Sequence, residues 1–122
     1  MSKYHNRKIE TDDGTFDSAK EFNRWVYLKD RQDRGEIEDL RRQVSFELIP
    51  NQRVNGKLKE RKLVYVADFV YTEDGIQIVE DIKPTDRNGN ISEYYKQTPA
   101  YKTFVIKRKL MLERYGIEVR EI

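Results

Sequence analysis

The stretch V-A-D-F-V-Y-T-E-D-G-I-Q-I-V-E-D-I-K-P, Val66 to Pro84, constrains the fold more than any other part of the chain. Two apolar runs flank Asp74-Gly75, a dipeptide suited to a tight hairpin turn because both positions tolerate positive φ. Leu63 to Tyr71 is rich in β-branched and aromatic residues and reads as a central strand covered on both faces. With Thr72 to Gly75 as the turn, Ile76 to Lys83 is the return strand, closed by Pro84. Yet Asp68, Glu80, Asp81 and Lys83 interrupt these runs. An ionised carboxylate in an apolar sheet is costly unless it is paired or neutralised, so these charges require an explanation.

The flanking sequence supplies the other elements. Met1 to Gly14 is polar and reads as an N-terminal arm, either a solvated tail or a substrate-touching segment. Asp17 or Ser18 caps a helix over Ser18 to Arg34, with Glu21 completing a capping box and Phe22, Trp25, Val26 and Leu28 at helical spacing. Ile37 and Leu40 lead out of it, past Gly35. Val44 to Ile49 alternates as a half-buried strand ended by Pro50. Asn51 to Lys62 carries an Asn55-Gly56 turn among basic residues. Thr85 to Gln97 is a polar loop. Thr98-Pro99 starts a second helix over Pro99 to Tyr115, with Phe104, Val105, Met111, Leu112 and Tyr115 on its apolar side, and Gly116 ends it. Ile117 to Ile122 alternates as a last strand. The order α-β-β-β-α-β in 122 residues predicts one α/β domain, a mixed four-stranded sheet flanked by two helices.

Composition narrows the chemistry. There is no cysteine, and His5 is the only histidine, so thiol catalysis, Cys-ligated zinc and multi-His sites are excluded. Catalysis would fall to carboxylates, Lys, Tyr or hydroxyls, and a metal would be a hard ion such as Mg²⁺ or Mn²⁺. The net charge of +2 does not announce a nucleic-acid partner, although separated patches can hide one. No apolar stretch is long enough to span a membrane and the charged N-terminus has no signal-peptide core, so a cytosolic location is expected.

Alternate residues of a strand share a face, so Asp81 and Lys83 point the same way, and the hairpin brings Asp68 near Val79 to Asp81. Two carboxylates and an ammonium can thus share a small volume. A divalent cation would relieve the repulsion between the acids, with the Ile82 backbone carbonyl as a third ligand. Lys83 could then hold an anion or assist an attacking water. The same residues also fit an internal ion pair of Lys83 with either acid. Glu80 lies on the opposite face, with Ile78 and Ile82.

The spacing D-(x)₁₂-D-x-K resembles the motif of the PD-(D/E)XK nuclease superfamily, whose core has the same element order. K-Y-H-N-R-K, F-D-S-A-K-E, F-E-L-I-P, Y-V-A-D-F-V-Y, V-E-D-I-K and Y-G-I-E-V-R-E together resemble a family of small phage and prophage proteins, formerly of unknown function, grouped with Holliday-junction-resolvase-like nucleases. The resemblance implies Mg²⁺-dependent cleavage of DNA phosphodiesters in the host cytosol. It makes Asp68 and Asp81 the metal-binding acids, Lys83 the lysine, and Glu21 an added glutamate that contacts metal or water. Val66 stands where the namesake proline would precede the first acid.

Lys20 and Arg24 on the first helix, Arg53, Lys57, Lys59, Arg61 and Lys62 around Asn55-Gly56, and Tyr101, Lys102, Lys107 and Arg108 on the second helix are candidate DNA contacts, because cations beside an acidic site let a phosphate backbone approach. Gln97 and Tyr101 are similar to the Q-x-x-x-Y spacing of some exonuclease branches, while Thr98-Pro99 explains the same stretch as a helix start. An exonuclease, a resolvase acting as a homodimer, and a non-cleaving nucleic-acid or protein binder remain open alternatives.

Overall fold

A computed structural model describes residues 7–122. The first residues of the expected arm, His5 among them, lie outside the described residues. The rest of the arm is not irregular. Strands β1 (Ile9–Thr11) and β2 (Gly14–Phe16) form a small antiparallel hairpin. Arg42 fastens it from outside by donating to the carbonyls of Asp13 and Thr15 and lying 3.7 Å over the Phe16 ring. The buried Phe16 then leads into α1 (Ala19–Asp33), whose N-cap is Ser18.

The main sheet has the order β3-β6-β7-β8. Strand β3 (Glu38–Ile49) runs antiparallel to β6 (Leu63–Glu73), which runs antiparallel to β7 (Ile76–Asp81). Strand β8 (Arg120–Glu121) is parallel to β7 and makes the sheet mixed. Between β3 and β6 projects a ribbon of β4 (Gln52–Val54) and β5 (Lys57–Glu60). A short helix α2 (Glu93–Lys96) precedes α3 (Pro99–Tyr115). Among the described residues no helix is long and apolar enough to cross a membrane.

The two long helices cover opposite faces. Phe104 and Met111 of α3 pack on Tyr65, Ala67, Val70 and Val79. Leu28 of α1 packs on Phe69, Tyr71 and Ile78, with Trp25 stacked on Phe69. The expected apolar stripes were too broad: Val26 and Leu112 are half exposed, because a helix on a sheet buries a narrower arc than its apolar residues span.

Several expected boundaries shift for physical reasons. The β6–β7 turn needs only Asp74 and Gly75, both at positive φ, so Thr72 and Glu73 stay in the ladder and Tyr71 pairs with Ile78 rather than Ile76. Strand β3 begins six residues before Val44, because a bulge between Glu38 and Arg41 absorbs the irregular start. The last strand shrinks to two residues, since Ile117 and Val119 are taken up by the core. The loop after Pro84 contains α2, a third helix that the sequence reading did not include; Ser92 caps it, accepting from the Tyr95 N–H.

Candidate functional site

The site begins with a slip in side-chain alternation. Ala67 and Phe69, two residues apart, belong to opposite cores. A strict period of two forbids this, so the strand changes face at Asp68. On β3 the neighbouring residue, Gln43, has φ 51°, and β3–β6 pairing resumes on either side at Arg42–Phe69 and Val44–Ala67. The slip turns Asp68 toward the C-terminal end of β7. The β6–β7 register, last bonded at Phe69–Glu80, places Asp68 and Asp81 opposite each other when extended by one residue. The two acids therefore share a face, as the hairpin reading anticipated.

Each acid is held by specific donors. Asp68 accepts from the Ile82 N–H at 2.8 Å and from the Gln43 amide at 3.3 Å. Asp81 is paired with Lys83 at 2.8 Å and accepts from the Tyr65 hydroxyl at 2.6 Å. Lys83 is buried, its ammonium 3.4 Å from the Phe104 ring centroid, so α3 supplies a cation–π floor. Burial, then the neighbouring Asp81 charge, pushes the Asp68 pKa up to about 7, with the Ile82 N–H opposing and Glu21 adding to the rise. Burial and Asp81 likewise raise the pKa of the Tyr65 hydroxyl.

Glu21 joins the start of α1 to the first acid. Its N–H is capped by the Ser18 hydroxyl, and one carboxylate oxygen accepts from the Asp17 N–H at 2.7 Å. The other oxygen accepts from Gln43 at 3.2 Å, and that same amide reaches Asp68. One side-chain amide thus joins the start of α1 to the first acid. Gln43 and Tyr65 are the residues that sequence reasoning missed. A phenol on an apolar strand is a weak hint for Tyr65; nothing local marks Gln43, whose role depends on the face change.

Glu21, Asp68 and Lys83 line a cleft of about 570 Å³ bounded by residues 17–21, Asp68, residues 82–86 and Tyr95, with Asp81 held behind them through its pair with Lys83. The cleft lies where α1 starts and β7 ends. Among the described residues no group of three or more His, Asp and Glu side chains is disposed to hold a metal ion. An ion there would rest on two side chains, with backbone and substrate oxygens completing its shell.

The family described as "Protein of unknown function (DUF1064)" matches residues 1–120. The chain belongs to this family. No curated protein and no solved structure matches it.

In this DUF1064 chain the candidate basic residues divide into engaged and free. Lys20, partly buried at the cleft wall, donates to the carbonyls of Lys83 and Ile122, at 2.6 and 2.9 Å, and burial lowers its pKa. Arg24 makes a two-pronged bond to Glu80, which is fully buried on the α1 face and also accepts from Tyr71. Both were expected to contact DNA; each is engaged by acceptors within the protein, Lys20 by two backbone carbonyls and Arg24 by the buried Glu80. Tyr101 donates to Glu121, which also binds Arg108, so the Q-x-x-x-Y pair is not assembled toward the acids; Gln97 is the C-cap of α2. Arg53, Lys57, Lys59, Arg61, Lys62 and Lys102 are exposed, and Lys107 is partly so.

Proposed function

We propose that this DUF1064 chain is a divalent-metal-dependent deoxyribonuclease of restriction-endonuclease-like fold, hydrolysing DNA phosphodiesters at the Asp68–Asp81–Lys83 cleft. The observation that carries this reading is a partly buried carboxylate, Asp68, held beside the Asp81 charge: burial first, and then that like charge, lift its pKa to about 7. A site built only for stability would not keep two like charges together beside one ammonium.

The residues fit a hard cation. Each oxygen of Asp68 and Asp81 has one protein donor, and a carboxylate oxygen accepts more than one, so each retains a lone pair. Asp68, Asp81 and the Ile82 carbonyl would hold Mg²⁺ or Mn²⁺, which commonly binds one or two carboxylates together with substrate phosphate oxygens. Such an ion supplies charge to offset that developing on the phosphate and makes water more acidic.

The chain's own groups do the remaining work. Tyr65 fixes the rotamer of Asp81, and Gln43, backed by Glu21, fixes that of Asp68. Lys83 is seated between Asp81 and Phe104, where it can donate to an attacking water or to a non-bridging phosphate oxygen. The positive end of the α1 dipole borders the same cleft and favours an anion.

The close Lys83–Asp81 pair favours one rival, a non-cleaving binder whose charges only satisfy each other. Incubation with linear, nicked, flapped and four-way DNA, in Mg²⁺ or in EDTA, separates the two. Cleavage of at least one substrate in Mg²⁺, absent in EDTA and absent from Asp81→Asn of unchanged melting temperature, is the expected result. No cutting of any substrate, or cutting that survives the substitution, rules the assignment out.

A further inference from the structure

We infer that the β4–β5 ribbon is a duplex-DNA arm that lies in the major groove beside the cleft. The inference rests on the nuclease reading in one respect, that ribbon and cleft share a substrate. Residues 51–62 are exposed throughout. Arg53, Lys57, Lys59, Arg61 and Lys62 stand against Glu60 alone, a net charge of +4 on a segment of a chain whose total is +2. The ribbon's base is closed on itself, the Lys62 N–H donating to the Asn51 side chain at 2.7 Å.

A two-stranded ribbon without a core is marginal in water, and among the described residues no helix or other strand packs substantially on this one. A few charges suffice to protect exposed strand edges from aggregation. They need not be of one sign, and they do not account for Val54 and Leu58 standing about half exposed among them. Cations flanking small apolar side chains instead suit a groove, where phosphates line the walls and thymine methyls the floor.

Position and width point to the same partner. Strand β7 runs antiparallel to β6, so its Asp81 end and the Leu63 end of β6, where the ribbon springs, lie at one end of the sheet. Asp68 is five residues along β6 from Leu63, about 17 Å at strand rise, which is about half a turn of B-form DNA. The B-form major groove, about 12 Å wide, admits a two-stranded ribbon, whereas the A-form major groove is too narrow and deep.

Binding tests this without requiring cleavage. The Asp81→Asn protein in EDTA is titrated against a short blunt duplex and against one of its strands, over a range of salt. A triple variant (Arg53→Ala, Lys57→Ala, Lys59→Ala) and a second one with residues 52–60 replaced by a short Gly-containing turn are compared with it. Both should melt as the parent does. Both should lose at least roughly tenfold in duplex affinity, and the triple's salt slope should fall by about 2 to 3, with smaller losses on the single strand. An unchanged slope, or an equal loss on both DNA forms, overturns the inference. Absence of cutting by the unsubstituted protein in Mg²⁺, with the slope change intact, would instead overturn only the nuclease reading.

Discussion

Asp68 and Glu80 show how one sheet treats buried acids in opposite ways. Glu80 is fully buried but receives a two-pronged guanidinium from Arg24 and a phenol from Tyr71, so its charge is compensated within the protein. Asp68 receives one backbone N–H and one long amide contact and faces the Asp81 charge. Its pKa rises from an ordinary 3.8 to about 7. Between those values the folded state binds the additional proton, so this group's contribution to stability is greatest below about pH 4 and falls as pH rises through 7. Asp68→Asn removes the penalty. In metal-free buffer the variant should gain on the parent between pH 5 and pH 8, by about 1–3 kcal/mol, readable as diverging melting temperatures. Mg²⁺ at pH 8 should raise the parent's melting temperature and not the variant's. A pH-independent difference would mean the acids are not crowded.

At the scale of elements, the α3 boundaries were legible because both ends are local chemistry: Thr98 accepts from the Tyr101 N–H, and Gly116 takes φ 67° as the left-handed cap. The Asn55-Gly56 and Asp74-Gly75 turns were legible for the same reason, and with them the sharing of one face by Asp68 and Asp81. What escaped was non-local. The face change at Asp68 depends on Gln43 in another strand, and the internal capture of Lys20 and Arg24 depends on β7 and the final residues. A period-two reading of β6 alone would put Ala67 and Phe69 together. The strand pair also yields a test of Tyr65. Tyr65→Phe keeps the ring beside Phe104 but removes the hydroxyl from Asp81. Loss of a bond that orients a metal-binding acid typically lowers activity or metal affinity about 10–100-fold. Cleavage rates and Mg²⁺ titrations should show that loss at a melting temperature close to the parent's. A purely structural role would instead show in melting alone.

For the whole molecule, the cleft is closed by segments far apart in sequence. Ile122 brackets the end of β7: its N–H donates to the Asp81 carbonyl and its carbonyl accepts from the Lys83 N–H, both at 2.9 Å. Lys20, from the first turn of α1, donates to that same Ile122 carbonyl and to the Lys83 carbonyl. Glu121 ties the bracket to α3 through Tyr101 and Arg108. Helix α1, strand β7, helix α3 and the last residues therefore hold one another at the point where Asp81 and Lys83 enter the site. Deleting Glu121 and Ile122 removes this bracket while leaving every proposed site side chain in place. Counting about 1 kcal/mol for each lost hydrogen bond, partly recovered by water, the deletion should cost about 2–4 kcal/mol. Amide exchange should accelerate first at Ile82 and Lys83, with residues 66–71 of the central strand remaining protected. None of these bonds involves the ribbon, which springs from the Leu63 end of β6, so metal-free duplex binding and its salt slope should persist in folded protein while Mg²⁺-dependent cutting is lost. Cutting at the parental rate would show that the bracket does not position Lys83, and would move the cause of its placement to the Phe104 floor.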